Sequence, residues 1–468
     1  PIVPVDRAQT RPLSFSQRRL WYLQKVDTNL SAYNIPAAFR VKGDLDSAAL
    51  ELALNEMIAR HEVLRSYVKE IDGQPRQEIL PSLRIALEVI DLTHLLDEPA
   101  EIEVSRLASA DARQLYDLAN APLMRATLVK LAGDSHVFIL NFHHIIADGS
   151  SLAIFYKELA ALYEAARESK TASLPSLPVQ YADYAAWQQD WLKSSSFETL
   201  LDYWKRQLAG LPEPGALPTD FDPPMLPTYS GARLAIPLSD ELTGSLKNLN
   251  RQQSVTMFMT LLAAFNILLS RISGQDDIVI GSTIAGRNHP DTDGLIGFFI
   301  NALPLRTDLC GDPSFVALLR RVRELCLDAY TTQDVPFEKI VEAIKPRREP
   351  GRNPIFDILF NIADTSERTL TLTGCDVTKL AQVDPAAKFD MVLHAPEVNG
   401  KIELAIVYNT ALFYEGRITL LLEQFASLLA QVVANPELAI GQLSLVTDAS
   451  RTVLPDPKEG LNDSWEGA

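Results

Sequence analysis

A mixed α+β fold of more than one domain is what this sequence predicts, and three observations predict it. Long segments with helical apolar spacing are interleaved with short β-rich runs, but without the strict alternation of a parallel doubly wound sheet. The chain has 468 residues, 47% hydrophobic and 22% charged, room for roughly two to four domains at about 100–200 residues each. Proline-rich stretches then punctuate the pattern at two places.

Taken in order, the first helix runs from Leu45 to Met57, where Leu50, Leu54, Met57 and Ile58 recur at helical spacing and Asp46 or Ser47 can cap the start. Residues 150–166 put Leu152, Phe155, Tyr156, Leu159, Leu162 and Tyr163 on one side. From Thr256 to Ile272 the stripe is Phe258, Leu261, Leu262, Phe265, Leu268 and Leu269; from Ser314 to Tyr330 it is Phe315, Leu318, Leu319, Val322 and Cys326. The strand candidates are Ala37–Val41, Ala126–Leu131, His136–Phe142, Ile278–Ile280, Ile355–Asn361, Met391–Leu393 and Ile402–Tyr408. Pro175 and Pro178 mark a break at Thr171–Pro178, and six prolines make Leu211–Pro227 an extended connector. The expected division is therefore 1–175, 176–450 and a C-terminal linker at 451–468. The opening Pro1–Val5 and the lack of an initiator Met read as a piece of something longer.

Charge narrows the function. A formal net charge of −17 repels polyanions, so neither nucleic acid nor an anionic membrane is expected as a partner. Lys345, Arg347, Arg348 and Arg352 make one local basic stretch, read as a solvated loop or a patch for an acidic partner. Three scattered cysteines, Cys310, Cys326 and Cys375, form no CxxC, which argues against a disulfide scaffold or zinc site and for a reducing cytoplasm. No run of 18 uncharged apolar residues is present.

The most informative segment is Asn141-Phe142-His143-His144-Ile145-Ile146-Ala147-Asp148-Gly149-Ser150, between a strand and a helix. Adjacent strand residues face opposite ways, so only one of the two histidines can look into a given cavity while the other packs. Asp148 can hold the loop through a charged partner, and Gly149 permits a turn or a close backbone approach. No further His or Cys cluster completes a metal site, and Gly-x-Ser-x-Gly, Walker and Gly-x-Gly-x-x-Gly motifs are missing, so no metal and no bound nucleotide cofactor is expected. The isolated histidines His61, His94, His136, His289 and His394 are read as structural.

With His143, His144, Asp148 and Gly149 as His-His-x3-Asp-Gly, the chain resembles the condensation domains of nonribosomal peptide synthetases, in the chloramphenicol-acetyltransferase-like superfamily. Seven further stretches similar to that family's motifs occur in its order. They are Ser14–Trp21, Arg60–Arg65, Tyr181–Trp187, Gly281–Arg287, Ile296–Asn301, Gln333–Glu338 and Arg352–Phe356. The resemblance implies a pseudo-dimer of two acetyltransferase-like lobes in a V, with a tunnel whose middle holds His144. Donor and acceptor peptidyl carrier proteins would bring thioesters on phosphopantetheine arms to its two mouths, and an adenylation domain would neighbour it in the synthetase. The domain would bind no cofactor of its own.

Under that resemblance His144 is the catalytic residue, as base or as the group that positions the amine, because imidazole titrates near working pH. The Gly149 N–H is a candidate donor to the developing oxyanion. His143 is expected to stabilise the loop, and Asp148 to pair structurally with an arginine of the second lobe, best matched by Arg287. Arg65, Ser150 and Asn301 are candidates for the tunnel wall. Phe298 and Phe299 are expected in the core, and Tyr184, Trp187 and Trp191 in helix packing. Ser150 where tryptophan is common, and Thr332 before Gln-Asp, are departures. An elongation type is favoured, with a lipo-initiating starter open. The alternatives are a stand-alone acyl-CoA-dependent acyltransferase, a catalytically silent recruitment module and, less so, an epimerase-like member.

Overall fold

The computed structural model of the chain describes residues 1–7, 11–212, 217–224, 228–347, 352–362, 369–380, 386–398 and 400–452. Arg348, most of the expected linker at 451–468 and parts of Leu211–Pro227 lie outside the described residues.

Helix α1 (Phe15–Val26) starts with a reciprocal cap: Ser14 Oγ accepts the Gln17 N–H, and the Gln17 side chain accepts the Ser14 N–H. The first large sheet contains β1 (Asn34–Gly43), β2 (Glu88–Asp91), β3 (Met124–Lys130) and β4 (Ser135–His143). β1 and β3 flank β4 antiparallel, and β2 adds parallel to β3. On β4 every residue from Val137 to His143 is buried, as a central strand covered on both faces requires. Phe138, Leu140 and Phe142 face a core with α2 (Ser47–Arg60), while Val137 and Ile139 face α3 (Asp97–Arg113). α4 (Gly149–Arg167) packs beside α2, adding Leu152, Phe155, Tyr156 and Leu159 to that core. α5 (Tyr181–Trp191) follows the proline break at 171–178.

The second half builds its own sheet from β5 (Gly231–Pro237), β6 (Asp277–Ile284), β7 (Asn301–Asp308) and β8 (Ile358–Asn361). The run expected as strand from Ile355 begins only at Ile358. Before it, the Asp357 carboxylate turns back to accept the Asn353 N–H at 3.2 Å and the Arg352 guanidinium at 3.3 Å. β9 (Cys375–Lys379) leaves this half and pairs antiparallel with β1, while β10 (Met391–His394) and β11 (Lys401–Asn409) complete the second sheet in the order β7-β6-β8-β10-β11, with β5 on β11.

α6 (Met257–Ser273), predicted from a one-sided stripe, is buried on all sides from Met259 to Ser270, and its Asn266 amide donates to the Leu262 carbonyl. α7 (Phe315–Thr331) packs beside it, and the short α8 (Phe337–Ile344) lies against α1. α9 (Glu415–Ala434) is long and apolar enough to span a bilayer by length and composition, yet its stripe from Ile418 to Val432 is buried in the second core. Helices layered on mostly antiparallel sheets give the mixed α/β class that the sequence predicts.

The halves interlock. Leu295, Ile296, Phe299, Leu370 and Leu372 from the second half belong to the first core. Gly297 sits at this junction: its N–H and carbonyl both meet Ser151 Oγ, at 3.0 and 2.7 Å. A Cβ there would lie 1.9 Å from the Tyr181 ring. That ring is held in place, because its hydroxyl donates to the Phe298 carbonyl at 2.6 Å and contacts Ser14 Oγ at 2.7 Å. Gly297→Ala is therefore expected to destabilise the fold by about 1–3 kcal/mol through overpacking, read as a lowered midpoint in urea; an unchanged midpoint would show that the junction yields.

Candidate active site

β4 ends at His143, and the chain runs through His144 to Asp148 before α4 begins at Gly149. Here the two histidines part. His143 is buried against the Tyr116 ring, and its Nδ1 accepts the Ile145 N–H at 3.1 Å. Accepting at Nδ1 fixes the proton on Nε2, and burial, with the charge of Lys388 a smaller cause, lowers its titration to about 3. It is a neutral packing group.

His144 turns the other way and is partly exposed. Its backbone N–H donates to the Tyr33 carbonyl at 2.8 Å, which continues the strand pairing by one residue. Its ring touches Phe298 at 5.2 Å between centroids and Tyr33 at 6.4 Å. Nδ1 lies 3.1 Å from the Ala147 carbonyl. A carbonyl can only accept, so Nδ1 carries the proton and Nε2 keeps its lone pair. Desolvation holds this ring's titration well below the usual histidine range, with Lys388 and His143 adding to the effect and the Ala147 bond opposing it. At neutral pH the arrangement offers an uncharged acceptor at Nε2.

Asp148 is fully buried. One carboxylate oxygen caps α4, accepting the Ser151 N–H at 2.8 Å and contacting Ser151 Oγ at 2.8 Å. The other accepts the Phe299 N–H at 2.9 Å. Arg287 approaches to 3.6 Å, donates to Ser151 Oγ at 2.9 Å and to the carbonyls of Thr292 and Leu295, and lies 4.1 Å over the Phe299 ring. The structure thus brings His143, His144, Asp148 and Arg287 together around one loop.

The other candidates sit elsewhere or differently. Gly149 and Ser150 are the first two residues of α4. Gly149 does not take a positive φ, so the turn that its residue type allows is not used; its N–H stands at the helix start, where no intrahelical acceptor exists. Arg65 ends a short helical turn, 4.0 Å from Glu62, with Nη1 buried. Asn301 is spent on backbone, donating to the carbonyls of Gln333 and Val335 and accepting the Phe337 N–H, although it also borders a cavity with Trp187, Trp191 and His289. Phe299 is core, whereas Phe298 is half-buried and faces His144. Trp187 and Trp191 stack at 6.2 Å. His61 is buried with Nε2 2.7 Å from Glu158.

Three groups at the site were not singled out from sequence: Ser151, Tyr33 and Lys388. Ser151 lies three residues after the cap Asp148, a spacing that a capping argument can find. Tyr33 and Lys388 carry no local signal.

Beside Tyr33 opens a cavity of about 250 Å³, walled by Arg19, Leu23, Tyr229, Lys388 and Asp390 among others. It shares Arg19, Leu23, Arg352 and Asn353 with a groove of about 510 Å³ between α1 and α8. A path therefore leads from the surface at α1 toward the His144 side of Tyr33.

Comparison with known proteins fits this geometry. Residues 7–454 match the family model described as the condensation domain. The chain is 43% identical over 453 residues to one of the linear gramicidin synthases of Brevibacillus parabrevis, covering 96% of this chain but only 6% of that synthase. The X-domain from teicoplanin biosynthesis superposes with a TM-score of 0.87 at 28% identity, over 95% of this chain and 99% of the X-domain. The first condensation domain of the calcium-dependent antibiotic synthetase shares the fold, with a TM-score of 0.77 at 22% identity over 94% of this chain and all of that domain. A loop that presents one neutral imidazole and anchors itself by a buried carboxylate thus stands in a chain that belongs to the condensation-domain family of nonribosomal peptide synthetases, acyltransferases that form amide bonds.

Proposed function

We propose that this chain joins a carrier-bound acyl or peptidyl thioester to a carrier-bound aminoacyl thioester, as an elongation domain between two peptidyl carrier proteins and beside an adenylation domain. The amine nitrogen attacks the donor carbonyl, the C–N bond forms, the C–S bond breaks and the proton ends on the released thiol. The observation that carries this reading is the neutral His144 with a free Nε2 next to a path from the surface. Nε2 accepts a hydrogen bond from the attacking amine and so aims its lone pair. A ring of such low basicity favours orienting the amine over holding its proton. The Gly149 N–H is the donor we assign to the oxyanion, and Asp148, Arg287 and His143 hold the loop.

The groove between α1 and α8 is our choice for one carrier site. Tyr22 and Val26 on α1 are 44% and 88% exposed there, beside Arg18 and Arg19, a surface suited to an acidic helical partner. No bound cofactor is proposed, since the reactive groups arrive on phosphopantetheine arms. We also read 1–175 and 176–450 as the two lobes, a reading supported by their separate sheets. A recruitment module is the second reading, because the teicoplanin X-domain in complex with OxyB has the same fold. The retained His144 and its free Nε2 support catalysis instead.

Mixing the chain with loaded donor and acceptor carriers, and weighing the acceptor by mass spectrometry, is expected to show the acyl transfer; coenzyme A thioesters alone are expected to give none. His144→Ala is expected to fold and to lose about 10²–10⁴-fold in amide formation, and a folded variant at parental rate would remove His144 from the mechanism. Asp148→Ala and Arg287→Ala are each expected to cost about 3–5 kcal/mol of stability, with the double variant costing less than their sum; strictly additive losses in denaturant titrations would contradict the pairing. Acid should weaken the fold in a predictable way. His143 titrates near 3 folded and His144 well below its ordinary value, so as pH falls from about 6.5 toward 3 the unfolded chain binds more protons and stability drops. For His143 the loss is about 2 kcal/mol between pH 6.5 and 5. His143→Gln is expected to flatten that slope, and a variant as acid-sensitive as the parent would disprove the assignment.

A further inference from the structure

Lys388 lines the inner cavity with its ammonium 5.1 Å over the Tyr33 ring, whose other neighbour is the His144 ring at 6.4 Å. No carboxylate lies within ion-pair distance of its Nζ among the described residues. The nearby Asp390 belongs to a different group, with Asp357 and Arg352 its charged neighbours. An enclosed ammonium without a counter-ion works against folding, so packing does not account for it. The cavity's other charged and titratable groups are Arg19, Tyr33, Tyr229, Arg352 and Asp390, and His143 and His144 stand just beyond.

We propose that Lys388 is a positioning residue for amide formation: its charge keeps the His144 imidazole neutral and disfavours the ammonium form of the amine entering beside it. The second half rests on the condensation reading above; the first does not. Burial lowers the Lys388 titration to about 8, so most of the charge is present at neutral pH, and its effect on both histidines runs in the same sense. An α-amine, with an ordinary pKa of about 7.7–8.0, is mostly protonated at pH 7 and cannot attack in that form. A cation at this range in a partly desolvated cavity shifts such a group down by about one pH unit. Tyr33 adds to the arrangement, since its ring face accepts the ammonium and fixes its distance from His144.

The test uses Lys388→Met, with Lys388→Arg as the charge-retaining control and Lys388→Gln should the methionine variant not fold, all in the full chain. Nuclear magnetic resonance of ¹⁵N-labelled histidines follows His144 during an acid titration. In Lys388→Met its titration is expected about one pH unit higher, while His136, at the far end of β4, stays in place. With loaded carriers, the acid limb of single-turnover amide formation is expected to move up by a similar amount. Lys388→Arg is expected to leave both unchanged. An unmoved His144 in the uncharged variants, or an arginine variant that shifts like methionine, overturns the proposal. A moved ring in a protein whose parent forms no amide upholds the charge effect and defeats the condensation reading alone.

Discussion

Both oxygens of one buried carboxylate fix this site. Asp148 caps α4 with one and holds the Phe299 N–H with the other, and that second partner lies 151 residues further along the chain. A carboxylate taken out of water needs such partners, since the effective penalty amounts to several kcal/mol per ion when they are missing. Arg287 supplies the countercharge at 3.6 Å, a longer approach than a direct hydrogen bond, with Ser151 Oγ between them. The loop carrying His144 therefore has its geometry only when the second half is in place. The same dependence appears in the core, where Leu295, Ile296 and Phe299 fill space beneath α4.

A loop held this firmly can keep an imidazole in one tautomer. Ala147, one residue before the cap, presents the carbonyl that takes the Nδ1 proton. In hydrolase triads a carboxylate occupies this position and stabilises the imidazolium as it forms. Here the acceptor is a neutral carbonyl, while the nearest carboxylate in sequence, Asp148, is committed to the helix and to Phe299. The site is therefore poorly built to store a proton on His144 and well built to offer Nε2 as an acceptor. Catalysis of this kind rests on placing reactants, and holding two tethered groups in register supplies roughly 7–11 kcal/mol of a bimolecular barrier.

Much of this was legible in the sequence where the cause is local. The helices expected at 45–57, 150–166, 256–272 and 314–330 differ from those observed by three residues or fewer at each end, because their apolar spacing and their caps, Asp46, Asp148, Thr256 and Ser314, lie in or beside the segments. The divergence of His143 and His144 follows from strand geometry alone. What local pattern does not carry is long-range. The all-round burial of α6 depends on elements far along the chain. β9 crossing to β1 looks like any short strand. Phe298 reads as one of two core aromatics until the fold sets it against His144. Lys388 is an ordinary lysine in sequence, and only the closure of the cavity gives its charge a neighbour.

These long-range placements share one origin. Strand β9 and the segment 295–299 reach from the second half into the first, and each brings chemistry with it: the Phe299 N–H arrives with one, and Lys388 lies nine residues beyond the end of the other. Two lobes that met only at a flat interface would leave the His144 loop facing solvent, where water would satisfy Asp148 and screen Lys388. Exchange of segments instead desolvates the loop from both sides. Desolvation is the largest cause of the lowered titration of His143, His144 and Lys388 alike. One topological feature thus secures the anchor of the loop and also sets the uncharged state of the ring that it presents.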